Sequence, residues 1–349
     1  MKEHLALTVA WPAPLRRLVL EGRRALLRGD RAAADHWFTE ALAVEPNIPE
    51  AHVGLSLARR PGPDYRAWLA RLHIALKPGV YVEIGVEAGR TFGLVQADTL
   101  AIGIDPAADV PRLPVKGQVY RVTSEEFFAS ILPTLPAALQ QATQHIDLAF
   151  IDGDHRFASA LHDFIALEAR MTPGGVIVLH DTWPLSQHTA QPERATGFYT
   201  GDVWKLVPCL RALRPDLQIL TLAAPPTGLT VVTGLDRTSR VLQQRQAAVL
   251  AAYADLPYSA AVEQQLALTA NTDAALEPLL AWHTQCCGRA ASVGETMSMR
   301  ASVDGFDAGP ERSRHPAGAA APNGAQMPPP LDQAGVLPSR SLPTQDTGS

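Results

Sequence analysis

The chain has 349 residues, 46% of them hydrophobic, and a formal net charge of −5, enough apolar material for one or two packed domains. The mild acidity and the lack of any Lys/Arg run argue against a nucleic-acid or membrane-surface partner, since both select basic patches. Three cysteines (Cys209, Cys286 and Cys287) suit neither a disulfide framework nor a metal-ligand spacing, and no apolar run reaches membrane length; the expectation is a cytoplasmic protein with reduced thiols.

Residues 1–14 read as a loose lead-in broken by Pro12 and Pro14, not as a secretion signal. From Leu15 to Arg60 the chain is rich in Ala, Leu and Arg with helical periodicity. Gly22 and Ala34 would let two antiparallel helices approach closely, Phe38 would fill the groove between them, and Pro46 would stop the second helix. A third helix begins after Pro49, and Ser56 follows Gly22 by 34 residues. The spacing resembles one and a half tetratricopeptide repeats; an ordinary helical hairpin capping the next domain is the alternative. Either way, segment 1–64 would have to pack on the following domain or on another chain, as a partner-binding or self-associating surface.

Residues 65–237 alternate strand-like and helix-like stretches. Strands are expected at 80–86, 100–105, 119–124, 146–152, 175–181, 217–222 and 229–235. The first five are near-continuous apolar runs, as in strands covered on both faces, so the fold class is α/β: a Rossmann-like, mostly parallel seven-stranded sheet flanked by helices. The last two strands are joined by too few residues for a crossover helix, which makes the final strand antiparallel. Residues 238–287 read as a helical segment. Residues 288–349 are rich in Pro, Gly, Ala and Ser and read as a disordered tail.

Four motifs fall at the carboxyl ends of strands, the edge where open α/β sheets bind ligands. The first is Glu83-Ile-Gly85-Val-Glu87-Ala-Gly89, a glycine turn that lets backbone approach a ligand. Glu87 stands where a dinucleotide turn needs a bare glycine, and a carboxylate there would repel pyrophosphate; acidic character suits a ligand with a cationic sulfonium and an ammonium group. Asp105 ends the second strand, where an acid can accept hydrogen bonds from both hydroxyls of a ribose. Asp152, with Gly153, Asp154 and His155, ends the fourth strand, and His180 with Asp181 ends the fifth. Asp152 and Asp181 could hold one hard cation such as Mg2+, or could serve the cofactor or cap helices. Asp154 could cap the helix beginning near Arg156. His155 follows Asp152 by three residues in the loop beyond the strand, and an imidazole there is a candidate base for a hydroxyl proton. His180 fits a packed structural role as well as a ligand contact.

Taken together, VEIGVEAGRTF, GIDP, DLAFIDGDHRF, PGGVIVLHD and GDVWKL resemble the class I methyltransferases described as methyltransferase family 24, which includes macrocin-type sugar O-methyltransferases and relatives of the catechol type. The resemblance implies S-adenosylmethionine bound by Glu83, Gly85, Gly89, Asp105 and Asp152, a metal on Asp152 and Asp181, and His155 as the base. Catechol-type relatives carry Asn after the second carboxylate; Thr182 stands there in this chain. The implied reaction is O-methylation of a small molecule or glycan. In the long segment 182–204, Trp183, His188, Arg194 and Tyr199 are candidates to touch the acceptor. Three other readings compete: a non-catalytic scaffold on a decayed methyltransferase fold, against which Asp152, His155 and Asp181 count; a nicotinamide oxidoreductase, against which Glu87 counts; and a methyltransferase acting on nucleic acid, against which the mild acidity and the missing basic stripe count.

Overall fold

The computed structural model describes residues 11–194 and 196–286; most of the expected lead-in, the expected tail and Cys287 lie outside the described residues. Helices α1 (Ala13–Leu27), α2 (Arg31–Val44) and α3 (Pro49–Arg59) pack around the buried ring of Phe38. Asp30 caps α2 by accepting from Ala33 N at 3.0 Å, and Glu45 closes it ahead of Pro46. A β-carbon on Gly22 would stand 2.8 Å from the Phe38 ring, and one on Gly54 would overlap it, so both flanking helices need a bare backbone there. The third-helix contact thus falls on Gly54. Ser56 faces away from this layer and donates to Pro226 O at 2.6 Å.

Helix α4 (Tyr65–Leu76), capped by Asp64 through Ala67 N, starts the α/β region. The strands are β1 (Val80–Ile84), β2 (Leu100–Ile104), β3 (Gly117–Tyr120), β4 (Ile146–Ile151), β5 (Met171–His180), β6 (Gln218–Leu222), β7 (Leu229–Thr233) and β8 (Leu268–Thr269). Their order is β3-β2-β1-β4-β5-β7-β6-β8, with β7 antiparallel to both neighbours. Side chains alternate between two cores. Tyr81, Leu148, Phe150, Val176 and Val178 meet Trp68, Leu69 and Leu72 of α4. Val82, Ile84, Ala149, Ile151, Ile177 and Leu179 meet α7 (Phe157–Glu168), α8 (Leu206–Leu213) and α9 (Val241–Tyr253). Covering both faces explains the unbroken apolar runs.

All seven expected strands form, with β3 a few residues early. The differences lie between them. The glycine turn after β1 leads into a single 3-10 turn, Phe92–Leu94, before β2 begins. The helical stretch expected after β3 is broken: α5 (Ser124–Glu126) passes through a π turn and a 3-10 turn, and α6 (Ala137–Ala142) restarts beyond Pro136, because Pro133 and Pro136 lack the amide a continuous helix needs. The segment after 238 is not helical throughout. α10 (Ala260–Glu263) ends, Ala267 takes a positive φ of 53°, and the chain adds β8 parallel to β6, with Thr221 N bonded to Ala267 O and Ala223 N to Thr269 O. A helix over 277–286 ends the described chain. Among the described residues no helix is long and apolar enough to cross a membrane.

Candidate active site

The parallel registers align the strand ends. Ile84 of β1 pairs with Ile104 of β2 and with Ile151 of β4, and Ile151 pairs with Leu179 of β5. Gly85, Asp105, Asp152, His180 and Asp181 therefore emerge at one edge, around a cavity of about 1100 Å³ that all five line with Glu87, His155, Tyr65, Tyr199 and Thr227.

Gly85 turns the chain at φ 88°, so close to β4 that a β-carbon would overlap the Asp152 carbonyl oxygen. Asp105 lines the cavity and also builds the turn: Oδ2 accepts from Val86 N at 2.9 Å and Glu87 N at 2.7 Å, and Oδ1 from Ala107 N at 2.7 Å. Gly89, at φ 72°, packs against Val110 outside the cavity lining. Glu83 is also outside it. It lies fully buried beneath the turn, accepting from Tyr81 Oη at 2.6 Å and Thr91 Oγ1 at 2.5 Å. Burial lifts its carboxyl to about 8, against the lowering by those two hydrogen bonds. A carboxyl kept neutral at pH 7 supplies no counter-charge to a cationic ligand; the acidic side chains that line the cavity include Glu87, Asp105, Asp152 and Asp181 instead.

At the ends of β4 and β5, two carboxylates and two imidazoles interlock. His180 Nδ1 stands 2.9 Å from Asp152 Oδ1 and 3.5 Å from Asp181 Oδ1, and its Nε2 is 3.2 Å from Thr227 Oγ1. Burial alone would lower the His180 pKa; the Asp152 and Asp181 charges outweigh it and lift the group to about 9. His180 is thus an imidazolium at neutral pH, offsetting one of the two carboxylate charges. Tyr65 packs over it at 4.1 Å between ring centroids. His155 Nδ1 lies 3.0 Å from Asp181 Oδ2, and its Nε2 3.9 Å from Asp152 Oδ1. Asp152, His155 and Asp181 each offer one ligand atom, all within 4.8 Å of one another, so the donor set fits a divalent cation. Thr182 does not join them: its hydroxyl accepts from Thr230 on β7 at 2.8 Å.

Glu87, His155 and Asp181 hold positive φ angles of 48°, 48° and 58°, a region that costs non-glycine residues energy and persists where surroundings enforce it. Around His155 the enforcement comes from GDVWKL. Gly201 packs so close that a β-carbon would overlap the His155 carbonyl, and Asp202 N donates to that same oxygen at 3.1 Å. Asp202 Oδ1 accepts from Phe157 N at 2.7 Å, capping α7. The expected cap, Asp154, instead accepts from Ser159 Oγ. The buried Asp202 pairs with buried Lys205 at 3.0 Å. Sequence reasoning assigned Asp202 no role because its partner lies 45 residues away.

Of the candidates in 182–204, Arg194 and Tyr199 line the cavity, as does Phe198. Tyr199 stacks on His155 with planes 4° apart and centroids 5.6 Å apart. Trp183 points elsewhere, under the Arg60 guanidinium, and His188 is exposed outside the lining. Tyr65 and Thr227 line the cavity without a motif to flag them; both owe their place to chain returning from distant segments.

A mostly parallel sheet in this strand order, with β7 reversed and the ligand edge at the carboxyl ends, defines the Rossmann-like methyltransferase fold class. Residues 82–182, from β1 through the end of β5, match the family model of a methyltransferase domain, family 24, and this part of the chain is a methyltransferase domain. No curated protein matches the chain in sequence. Among solved structures, it is similar to cofactor-bound Rv0187 from MTB at 16% identity, over 58% of this chain and 97% of that one, with a TM-score of 0.39. It is similar to an O-methyltransferase from Bacillus cereus in complex with SAH at 14% identity, over 53% and 89%, with a TM-score of 0.37. A third is the O-methyltransferase TomG from Streptomyces achromogenes, involved in tomaymycin synthesis and in complex with SAM, at 17% identity over 47% and 77%, with a TM-score of 0.36.

Proposed function

We propose that this chain transfers the methyl group of S-adenosylmethionine to a hydroxyl of a small molecule or glycan. The observation that carries the reading is the meeting of Asp152, His155 and Asp181 in the same cavity as the glycine turn and Asp105. Asp105 would hold the ribose hydroxyls, Gly85 would admit the donor to the backbone, and Asp152 with Glu87 would face its cationic groups. Glu83 and Gly89 would act from beneath, by shaping the turn.

On the other side of the cavity His155, Tyr199, Tyr65, Phe198 and Arg194 would receive the acceptor. His155 takes the acceptor's hydroxyl proton, and Tyr199 stacked on its ring fixes the imidazole plane. S-adenosylmethionine, held by the glycine turn and Asp105, would supply the methyl group for that oxygen, the electron pair of the broken S–C bond staying with the sulfur. Asp152 and Asp181 would hold a divalent cation such as Mg2+, which when bound lowers the pKa of the hydroxyl it meets. The larger share of the acceleration is alignment of the two reactants by the rigid strand ends.

The test is a radiolabelled methyl-transfer assay against vicinal-diol sugars and catechols, with and without EDTA. Transfer to an oxygen supports the reading. Donor binding with transfer only to nitrogen or sulfur acceptors would refute the hydroxyl assignment, and rates indifferent to EDTA would remove the cation. A scaffold, the competing reading, need not bind the donor at all.

A further inference from the structure

The N-terminal helices meet the α/β region at the loops that bound the cavity. Arg60, the residue after α3, is 5% exposed. No carboxylate pairs with it among the described residues' ion pairs; its donors go to main-chain carbonyls. Nη1 donates to Trp183 O at 2.7 Å and Pro226 O at 2.8 Å, and Nη2 to Pro184 O at 2.8 Å. The guanidinium lies 3.8 Å over the Trp183 ring. Burial lowers its pKa to about 10, so it stays charged at neutral pH. Ser56 Oγ donates to the same Pro226 O at 2.6 Å. One turn back along α3, His52 stacks on Phe198 at 5.2 Å and 12°, and a β-carbon on Gly197 would come within 2.9 Å of Pro49.

These contacts reach three stretches that carry the acceptor half of the cavity. Trp183 and Pro184 follow Asp181 with only Thr182 between. Pro226 precedes Thr227, which bonds His180, and both line the cavity, as does Phe198. Trp183 N donates to Thr227 O at 2.7 Å, joining two of the stretches just where the guanidinium spans them. An arginine fork can hold several carbonyls in a fixed plane, whereas a lysine ammonium cannot.

We infer that the α1–α3 layer backs the acceptor site from behind, touching its loops without lining the cavity, and that Arg60 is a positioning residue fixing the 183–184 and 226–227 loops. The inference rests on the methyl-transfer reading for the word acceptor, but the fastening can be tested without it. Loss of Arg60 frees both loops while leaving the glycine turn and Asp105, on the far side of the cavity, in place.

The experiment is hydrogen–deuterium exchange by mass spectrometry on the full chain, for wild type, Arg60→Ala, Arg60→Lys and Ser56→Ala, with calorimetric titration of S-adenosylhomocysteine alongside. In Arg60→Ala, exchange across 183–190 and 226–230 should rise about tenfold or more, with α2 and β1 unchanged. Methylguanidinium should restore slow exchange, Arg60→Lys should recover only part of it, and Ser56→Ala should show the same pattern more weakly. For any acceptor the wild type methylates, Arg60→Ala should raise the acceptor KM and leave the donor KM unchanged. Wild-type exchange in these loops, a rise spread evenly over α1–α3, or no rescue by methylguanidinium would overturn the inference. If Arg60→Ala does not fold, Ser56→Ala and Arg60→Lys decide by the same pattern. A wild type that binds no S-adenosylhomocysteine would instead refute the methyl-transfer reading and leave the exchange pattern to judge the fastening.

Discussion

His155 Nδ1 lies 3.0 Å from Asp181 Oδ2, yet that nitrogen is buried with no hydrogen-bond partner. The two atoms are close without the alignment of a donor and an acceptor. Side chains directed at a common third point, where a cation or a substrate hydroxyl would stand, take up this arrangement.

Replacing Asp181 with Ala removes one of the two carboxylates proposed to hold the cation. Methyl transfer should fall about a hundredfold or more, and Mn2+ bound by the wild type, followed by electron paramagnetic resonance, should be lost. Retained Mn2+ binding in Asp181→Ala would place the cation elsewhere.

His155→Gln keeps a hydrogen-bonding side chain but loses the base. The expected loss in kcat is on the order of 10² to 10⁴, with donor affinity unchanged within error. A variant as fast as wild type would mean that another group takes the proton.

Gly201→Ala should act on the same imidazole from a distance. The added β-carbon meets the His155 carbonyl, at a residue that already holds φ 61°, so the loop must shift. A stability loss of about 1–3 kcal/mol is expected from the overlap, with a larger fractional loss of activity than of folded protein. Equal losses of both would reduce GDVWKL to a folding element.

The pH dependence of stability follows from Glu83 and His180. Glu83 rises from its ordinary 4.5 to about 8 on folding, so the native state keeps a proton that the unfolded chain releases. Its contribution is complete below the unfolded value and is lost as pH climbs through the folded one. His180, lifted from 6.5 to about 9, has the same sign over a higher window. Urea midpoints should therefore fall between about pH 5 and about pH 9, and Glu83→Gln should remove the lower part of that fall. An unchanged slope in the variant would show that Glu83 is ionised in the native state.

The strands were readable in the sequence because both faces of the sheet are covered, which writes each strand as an apolar run ending in a polar residue. The same logic exposed Asp105, Asp152, His155 and Asp181. The motif puts Glu83 among the cofactor-binding residues, whereas the fold sets it outside the cavity lining; strand alternation carries the signal, since Glu83 shares a face with Tyr81, opposite Val82 and Ile84, and points under the turn toward Thr91. β8 was hidden because two residues added to an edge leave no periodicity to detect. Arg60 and Asp202 were illegible for a different reason. Each acts on main-chain atoms of distant segments, and nothing in the local sequence records which carbonyl or amide will arrive.

The most direct test of the central claim is calorimetric titration of the full chain with S-adenosylhomocysteine. The account predicts saturable binding of one equivalent, weakened about tenfold or more when Asp105→Ala removes the acceptor for the ribose hydroxyls and the brace of the glycine turn. Absence of binding by the wild type, or equal binding by Asp105→Ala, would contradict it.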